Sequence, residues 1–436
     1  MFESVCQATI CLIACHGGPA DHFATFAQHL PSELVNVEIY ASGPALKKFE
    51  DRGISVKKTF SLDNISQDEE DALAEQIAKA CAAYSVVITD VGHSFDIKLQ
   101  NALARHAIHV LRLAYYDNPE PYVPGGYSKV ATTVMLAAQG VIFANSNLAS
   151  ASIFQVPGKE IDFGSLRKIG IGYYPLDQAE KIARRRADEQ SSIRQLLFSR
   201  NSIIENNQKV LVYFGGNNDE YYSKAFPAFL SLLAEGMQHA DFSNLVLVIH
   251  QHPGAKAKNL DVNMTSEWIN EYGKMKNAPK IIVSNFSTDD AQVVADAALY
   301  YQTSMGPQFV LAGIPTVQIG HETFQDILVK NHLSPSVTHV NQLVDVIGDL
   351  DHPKKEIQQA VILDSLGIRK NWLQIFKNAI GVNSTSIPQD GVVSGLQAKK
   401  INWRHFLSGS IIAISLLAIR FFKNIYTKFC KYLKIN

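Results

Sequence analysis

The chain has 436 residues, too many for a single hydrophobic core, so two or three domains are expected. Its hydrophobic fraction of 47% and its charged fraction of 19% are ordinary for a globular protein. A formal net charge of −1 provides no overall positive field, so no nucleic-acid partner is expected.

The cysteines are few and odd in number, namely Cys6, Cys11, Cys15, Cys81 and Cys430. Three of them lie in or beside the first apolar run, which indicates small buried hydrophobes in a reducing compartment rather than a disulfide framework. A metal site built from Cys11, Cys15 and His16 is an alternative. No second ligand pair with zinc-type spacing accompanies these residues, so no bound metal is expected.

The first apolar run, residues 8–15, predicts a buried strand. It is too short for a signal peptide, and an acidic residue precedes it where a positive charge is needed. His16, Gly17 and Gly18 follow, and a helix is expected over residues 23–30. This loop lacks the glycine spacing of a dinucleotide or P-loop site, but its glycines allow a ligand to approach the helix start.

Residues 86–89 predict another strand, which ends at Asp90, with His93 close behind. In open parallel sheets the chemistry is carried out beyond the carboxyl ends of the strands. Either Asp90 or His93 could therefore act as a general base. The alternative is that Asp90 caps the following helix and that His93 only packs nearby.

Strand and helix patterns alternate through residue 165, which predicts one doubly wound domain over residues 1–165. Within it, a strand over 108–114 leads to a loop at 115–127 that is rich in proline, glycine and aromatic residues and could line a binding site. Residues 166–205 are expected to form a linker and a helix. The basic cluster Arg184–Arg186 in this helix is more typical of a solvated face than of a phosphate site.

The pattern restarts near residue 209, which predicts a second doubly wound domain over residues 206–352. Its first strand, residues 210–214, is followed by Gly215 and Gly216. Glycine-rich turns at the first strand ends of both halves predict a deep cleft between two similar domains, and clefts of this kind are preferred ligand sites.

Two further signals lie in the second half. His252 and Pro253 follow an apolar run, and Thr303, Ser304 and Gly306 follow another. The hydroxyls, the glycine and a short helix over residues 308–312 would gather free N–H groups around one place, which predicts a site for a phosphate or another anion. The alternative is that strand-to-helix junctions need small residues for packing alone.

These motifs resemble those of the GT-B fold, shared by glycosyltransferases and UDP-N-acetylglucosamine 2-epimerases. Gly215-Gly216 is similar to the loop that opens the donor domain, and His252-Pro253 is similar to a motif of the epimerases and of several bacterial transferases. Residues 303–306 together with 311–315 resemble the donor-phosphate loop and its exit. The resemblance covers the layout of residues 8–380 and implies an α/β protein with two Rossmann-like doubly wound domains facing across a cleft.

The resemblance also implies roles for these residues. His252, Thr303 and Ser304 would hold the donor phosphate, where a cation stabilises the leaving group. Glu322 would lie near the ribose. Asp90 would deprotonate the acceptor hydroxyl from the opposite domain, where residues 16–18 form the acceptor-side loop. Enzymes of this fold generally need no bound metal or cofactor, and the nucleotide-sugar is itself the substrate.

The chain departs from the epimerase pattern at two places. Residues 305–308 and 321–324 stand where epimerases carry paired acids and an Arg-Pro-Glu stretch, so an epimerase is disfavoured. The donor side also lacks the Arg or Lys that many transferases place on the phosphates, and Lys256 and Lys258 are nearby candidates.

A long helix is predicted within residues 353–380, with Trp372 and Phe376 on its apolar face, and it would cross back to the first domain. Residues 381–402 are rich in Ser, Pro and Gly and predict a flexible linker. The tail, residues 403–436, holds an uncharged run at 406–419 between basic flanks. It predicts either a short tail anchor or an amphipathic helix on an anionic surface, with a soluble helix packed on the body as the alternative.

Together these features predict a metal-independent glycosyltransferase, associated with a membrane through its C-terminal tail and with its catalytic part in the cytosol. Its donor would be a nucleotide-sugar, and its acceptor is not specified by the sequence. The alternatives are a catalytically inactive GT-B module that tethers a partner to a membrane, and a nucleotide-sugar epimerase.

Overall fold

A computed structural model describes residues 8–121, 126–150, 153–156, 159–162, 166–203, 208–216, 218–252, 259–284, 286–320, 325–351 and 359–382. The chain forms two α/β domains, each built on a parallel sheet.

Seven parallel strands form the first sheet in the order β3-β2-β1-β4-β5-β6-β9. They are β1 (Ala8–Ala14), β2 (Val35–Ser42), β3 (Lys58–Phe60), β4 (Val86–Thr89), β5 (Leu111–Tyr116), β6 (Gly140–Phe143) and β9 (Arg167–Gly170). The first sheet therefore extends into the predicted linker, because β9 pairs with β6. A separate antiparallel pair consists of β7 (Ile153–Val156) and β8 (Lys159–Asp162).

The helices of this domain cover both faces of the sheet, and they are α1 (Gly17–His29), α2 (Gly43–Asp51), α3 (Gln67–Cys81), α4 (Ser94–His106) and α5 (Tyr127–Ala137). Successive residues of β1 point to opposite faces. Leu12 lies in the core that includes α1, whereas Cys11 and Ile13 lie in the core that includes α3 and α4. Burial on both faces explains the continuous apolar run of this strand.

Six parallel strands form the second sheet in the order β12-β11-β10-β13-β14-β15. They are β10 (Lys209–Phe214), β11 (Leu245–His250), β12 (Lys280–Ser284), β13 (Ala297–Tyr300), β14 (Thr316–Ile319) and β15 (Ser336–Val337). A π-helical turn (Tyr221–Ala225) leads into the helices that flank this sheet, which are α7 (Phe226–Gly236), α8 (Leu260–Tyr272), α9 (Thr288–Val294), α10 (Gly306–Leu311), α11 (Ile327–Lys330) and α12 (Val340–Gly348).

The long helix α6 (Leu176–Arg200) joins the domains and packs on the second one, because Ile182, Leu197 and Phe198 lie in its core. Its basic cluster is engaged by α9 instead of lying free in solvent. Arg185 pairs with Asp290 at 2.8 Å, and Arg186 donates to the carbonyl of Gln292 at 3.0 Å. These arginines therefore hold a helix in place.

The C-terminal segment contains two helices, α13 (Gln359–Ser365) and α14 (Trp372–Ala379), where the sequence predicted one. The single-helix prediction is wrong because Gly367 adopts a φ of +63°, which ends α13. The turn docks on the first domain, where the carbonyl of Gly367 accepts from Ser146 and Arg369 N–H donates to the Gly172 carbonyl at 2.8 Å. Phe376 then enters the first domain's core.

The C-terminal tail predicted to associate with a membrane, residues 403–436, lies outside the described residues, as does the linker before it from residue 383. Within the ranges that the structure describes, no helix is both long enough and apolar enough to cross a membrane.

Candidate functional site

Three ionisable residues of the first domain lie at the carboxyl ends of three neighbouring strands. Strand β1 pairs with β4, and β4 pairs with β5, so Ile13 lies opposite Thr89, which lies opposite Ala114. His16, Asp90 and Asp117 come shortly after these positions. Parallel strands therefore bring the three side chains to one edge of the sheet.

His16 and Asp90 form a hydrogen-bonded pair. The Nδ1 atom of His16 lies 3.0 Å from Oδ2 of Asp90. The same oxygen accepts the backbone N–H groups of Cys15 at 2.9 Å and of His16 at 3.0 Å. Three donors on one oxygen hold Asp90 as a carboxylate, so the pair fixes a proton on Nδ1 of His16 and leaves Nε2 as the acceptor.

The two members of the pair differ in exposure. Asp90 is completely buried, whereas 39% of the His16 side chain is exposed. Burial by itself lowers the pKa of His16, but the hydrogen bond and the charge of Asp90 outweigh it and raise that pKa above its ordinary value. His16 is therefore the member that can reach a substrate.

Gly92 makes room for the His16 ring. A Cβ atom at this position would lie 2.6 Å from Cε1 and 3.0 Å from Nε2 of His16. The ring therefore rests on the backbone between β4 and α4, in a position that a larger residue would not allow.

His93 begins α4. Its Nδ1 accepts the N–H of Phe95 at 3.0 Å, and its own N–H donates to Oδ2 of Asp96 at 2.8 Å. The expectation that Asp90 could cap this helix is wrong, because His93 caps it. Its ring centroid lies 6.3 Å from that of His16, so both imidazoles stand at the same edge.

Asp117 is a further acid at this edge that sequence reasoning missed. Burial raises its pKa to about 6, and Tyr127 donates to it at 3.5 Å. A Cβ at Gly18 would lie 2.5 Å from Oδ2 of Asp117, so the glycine loop and this acid are in contact. The strand-end rule that singled out Asp90 applies equally to Asp117, but the sequence placed the preceding strand at 108–114, whereas β5 ends at Tyr116.

Cys15, Asp90 and Asp96 form a closed, buried cluster behind His16. Their ligand atoms lie within 4.8 Å of one another, which is close enough for a shared cation. Cys11, which the sequence grouped with Cys15 and His16 as an alternative metal site, instead hydrogen-bonds with Cys81 in the core. Burial raises the pKa of the Cys15 thiol well above its ordinary value, so the thiol is neutral.

The second sheet presents a different set of residues at its carboxyl edge. Phe214 at the end of β10 lies opposite His250 of β11 and Tyr300 of β13. The sequence-predicted donor residues follow these three strand ends, and they are Gly215, Gly216, His252, Thr303, Ser304 and Gly306. The topology therefore places them at one edge, while Pro253 and Glu322, as well as Lys256 and Lys258, lie outside the described residues.

The glycine loop after β10 packs on a tyrosine and aspartate network. A Cβ at Gly216 would lie 2.8 Å from the ring of Tyr221, and one at Gly215 would lie 3.0 Å from its hydroxyl. Tyr221 and Tyr222 donate to the two oxygens of the buried Asp261, each at 3.0 Å. This network fixes the loop that the sequence assigned to the donor.

His252 is half-buried. Burial lowers its pKa, and the charge of Asp261 opposes this only in part. The free protein therefore holds a neutral imidazole at this point, where the sequence comparison with GT-B proteins implied a cation.

The Thr303–Gly306 segment contains both packed and exposed residues. Thr303 accepts the N–H of Met305 at 3.1 Å, and Ser304 is exposed. A Cβ at Gly306 would lie 2.9 Å from Cδ1 of Leu328, so Gly306 lies buried against α11. Ser304 is therefore the member of this segment that is open to a ligand.

Glu120, which follows β5, connects the first domain to the second. Its Oε1 accepts the N–H of Ile327 at the start of α11, and Oε2 lies 3.7 Å from Nζ of Lys330. Burial raises the pKa of Glu120 to about 7. This contact joins the segment that follows β5 in the first domain to the start of α11 in the second.

Comparison with solved structures identifies the fold. The chain superposes on a UDP-GlcNAc 2-epimerase from Neisseria meningitidis bound to UDP-GlcNAc, with a TM-score of 0.60 and 11% identity over 86% of this chain and 100% of that one. A glycosyltransferase from Rickettsia africae matches with a TM-score of 0.58 and 14% identity, over 87% and 100% of the chains. The epimerase from Methanocaldococcus jannaschii, in complex with UDP-GlcNAc and UDP, matches with 0.57 and 11% identity, over 85% and 99%.

The protein therefore has a GT-B-like fold, and the sequence prediction of two doubly wound α/β domains is confirmed at the level of the fold. No protein-family model and no curated protein matches the chain. At such low identity the similarity defines the fold alone, and the chemistry depends on the residues at the two edges.

Proposed function

We propose that this protein transfers a sugar from a nucleotide-sugar donor to an acceptor hydroxyl, with His16 as the general base. The observation that carries the proposal is the His16–Asp90 pair, whose exposed imidazole stands at the edge of the first sheet. A histidine oriented by a buried carboxylate is an established arrangement for removing a proton from a hydroxyl group.

In the proposed reaction, the acceptor oxygen displaces the nucleotide from the anomeric carbon of the donor sugar. Nε2 of His16 takes the acceptor O–H proton while that oxygen attacks the anomeric carbon, and the bond between this carbon and the phosphate oxygen breaks. The nucleotide leaves with the electron pair. Asp90 was predicted as the base, but its complete burial keeps it from the acceptor, so we assign it to orienting His16 and stabilising its charged form.

The second edge would bind the donor. Ser304 is exposed, and His252 offers a neutral imidazole whose N–H can donate to a phosphate oxygen. Bringing an anionic phosphate to His252 would raise its pKa and favour a proton on the ring, which would stabilise the leaving nucleotide.

A second candidate is epimerisation of a nucleotide-sugar. One group would remove a proton from the carbon beside the anomeric centre while the nucleotide leaves with the electron pair, and the proton would return on the opposite face as the nucleotide adds back. Asp117 supports this candidate, because its charge acts on His16 and its raised pKa, about 6, suits proton transfer near neutrality. The similar solved structures from Neisseria meningitidis and Methanocaldococcus jannaschii are UDP-GlcNAc 2-epimerases.

The test uses the full chain with a panel of UDP-, GDP-, CMP- and dTDP-sugars. A donor that binds the folded state raises the melting temperature by mass action. Incubating the positive donor with and without candidate acceptors then separates the functions. Acceptor-dependent release of nucleotide supports transfer, and an epimeric nucleotide-sugar formed without acceptor supports epimerisation. Binding without either product would favour the inactive tether.

Membrane association remains a separate proposal that rests on the composition of residues 403–436. The run at 406–419 is uncharged and basic residues flank it. The full chain should co-sediment with vesicles containing anionic lipid, and a chain ending at residue 382 should not. Equal sedimentation of both forms would contradict the proposal.

A further inference from the structure

Two buried oxygens behind His16 lack hydrogen-bond partners among the described residues. They are Oδ1 of Asp90 and Oδ1 of Asp96, and both side chains are completely buried. The other oxygen of each residue is engaged. Oδ2 of Asp90 accepts three N–H groups, and Oδ2 of Asp96 accepts the N–H of His93. An unpaired carboxylate oxygen in a closed core is costly, so this arrangement needs an explanation.

The two carboxyl groups contact each other. One carboxylate oxygen of each lies within 4.8 Å of the other, in the buried cluster that also includes Cys15. Two ionised carboxylates so close in a buried site repel each other, whereas one proton shared between them removes a charge and lets one acid donate a hydrogen bond to the other.

We propose that Asp96 is a protonated carboxylic acid at neutral pH, that it donates a hydrogen bond to Asp90, and that it thereby positions the carboxylate that orients His16. The proton belongs to Asp96 because its partner already has three N–H donors that stabilise negative charge, whereas a single N–H faces Asp96. His16, Asp90 and Asp96 then form one hydrogen-bonded chain carrying a single negative charge.

The groups around Asp96 support this charge state. Burial, followed by the charge of Asp90, raises the pKa of Asp96 well above its ordinary value. Glu70 on α3 adds a further negative charge, although Lys98 pairs with it at 2.8 Å. Cys15 belongs to the same cluster, and its neutral thiol contributes no charge.

This series of hydrogen bonds from Asp96 through Asp90 sets the basicity of His16. A neutral Asp96 leaves one full charge on Asp90, which holds Nδ1–H of His16 and favours proton uptake at Nε2. Asp96 is thus a positioning residue that does not touch substrate. This catalytic consequence deepens the proposed function and rests on it, whereas the charge state of Asp96 can be measured without turnover.

The first experiment titrates His16 by NMR in the full chain, in the wild type and in D96N and D90N. An asparagine at 96 can donate to Asp90 and accept from His93 as the protonated acid does. We therefore expect D96N to leave the pKa of His16 unchanged and D90N to lower it, because only D90N removes a charge. A lower pKa of His16 in D96N, comparable to that in D90N, would show that Asp96 is ionised and would overturn the proposal.

Two further measurements complete the test. Infrared spectroscopy at neutral pH should show a carbonyl band from a protonated carboxylic acid that disappears in D96N, and absence of such a difference would also overturn the proposal. Elemental analysis should find no stoichiometric metal, since a divalent ion lost in D96N would place a cation, not a proton, between the acids.

Turnover measurements on variants of Asp96 then test whether this residue positions Asp90. We expect D96N to stay within about twofold of wild type, and D96L to lose on the order of tenfold because it cannot donate to Asp90. The pH at which turnover falls on the acid side should stay constant in D96N. If wild type shows no turnover with any donor, the proposed function fails while the NMR and infrared results still decide the charge state.

Discussion

The carboxyl edges of the two sheets occupy equivalent places in two similar domains but carry opposite kinds of residue. The first edge concentrates ionisable groups, with His16, Asp90 and Asp117 after three neighbouring strands. The second presents glycines, hydroxyls and a neutral imidazole after the corresponding strands. The shared architecture therefore offers two sheet edges of different chemistry, and under the proposed function the first would carry out proton transfer and the second would bind the donor.

The largest expected effect comes from removing the base at the first edge. We expect H16A to lower turnover by on the order of a thousandfold, the usual contribution of a general base, with donor affinity unchanged. Steady-state kinetics and a thermal shift with the donor measure both quantities. If H16A abolished donor binding and turnover together, the proposed division between the edges would be contradicted.

The contact between the edges should depend on pH through Glu120, whose pKa is raised from 4.5 to about 7 by burial. The folded state binds the proton more tightly than the unfolded state, so this contribution to stability is present below pH 4.5 and is lost as the pH rises through 7. Glu120→Gln avoids the buried charge and keeps an acceptor for Ile327. As the pH rises from 4.5 to above 7, we expect the free energy of unfolding of Glu120→Gln to increase relative to that of wild type by on the order of 3 kcal/mol.

Thermal melts of both proteins from pH 4 to pH 9 measure this difference. The matched control is Glu69→Gln, a change at an exposed helix cap far from the domain contact. A difference between wild type and Glu120→Gln that stays constant with pH would mean that Glu120 does not titrate in this range.

A smaller effect is expected at the second edge. Ser304→Ala and His252→Ala should each weaken donor binding by about tenfold, because each removes one hydrogen-bond donor to the phosphate, and the pH profile of turnover should keep its shape. Isothermal titration with the donor found by thermal shift gives the affinities. Unchanged affinity in both variants would remove these residues from the donor site.

The smallest effect is a difference in turnover between substitutions at two glycines of the first edge. A Cβ at Gly92 meets the His16 ring at 2.6 Å, whereas a Cβ at Gly17 meets nothing within 4 Å. We expect Gly92→Ala to displace the ring and lower turnover about fivefold, while Gly17→Ala stays near wild type. Equal turnover in both variants would show that the position of the ring is not critical, and melting temperatures would exclude misfolding as the cause of a loss.

Much of the fold follows from the sequence because buried parallel strands leave continuous apolar runs. The strand at 86–89 and the residue that ends it, Asp90, could be placed from the sequence alone. The break at Gly367 could not, since an apolar face continues on both sides and the positive φ is visible only in the structure.

The site was less accessible to sequence reasoning, because it depends on register between distant strands. The pairing of His16 with Asp90 requires β1 to lie beside β4 at a defined offset. Asp96 has no sequence signal beyond its third position in a helix, and only burial beside Asp90 gives it a role. Glu120 likewise gains its significance from a contact over 207 residues along the chain.

After the second domain the chain returns to the first, since Phe376, Ile380 and Val382 lie in the first domain's core. Whatever residues 383–436 bind is therefore anchored to the domain that holds His16. If that partner is a membrane, membrane-embedded acceptors reach the base at a high effective concentration. Under the proposed function, the second domain would then take its nucleotide-sugar from the water-soluble pool.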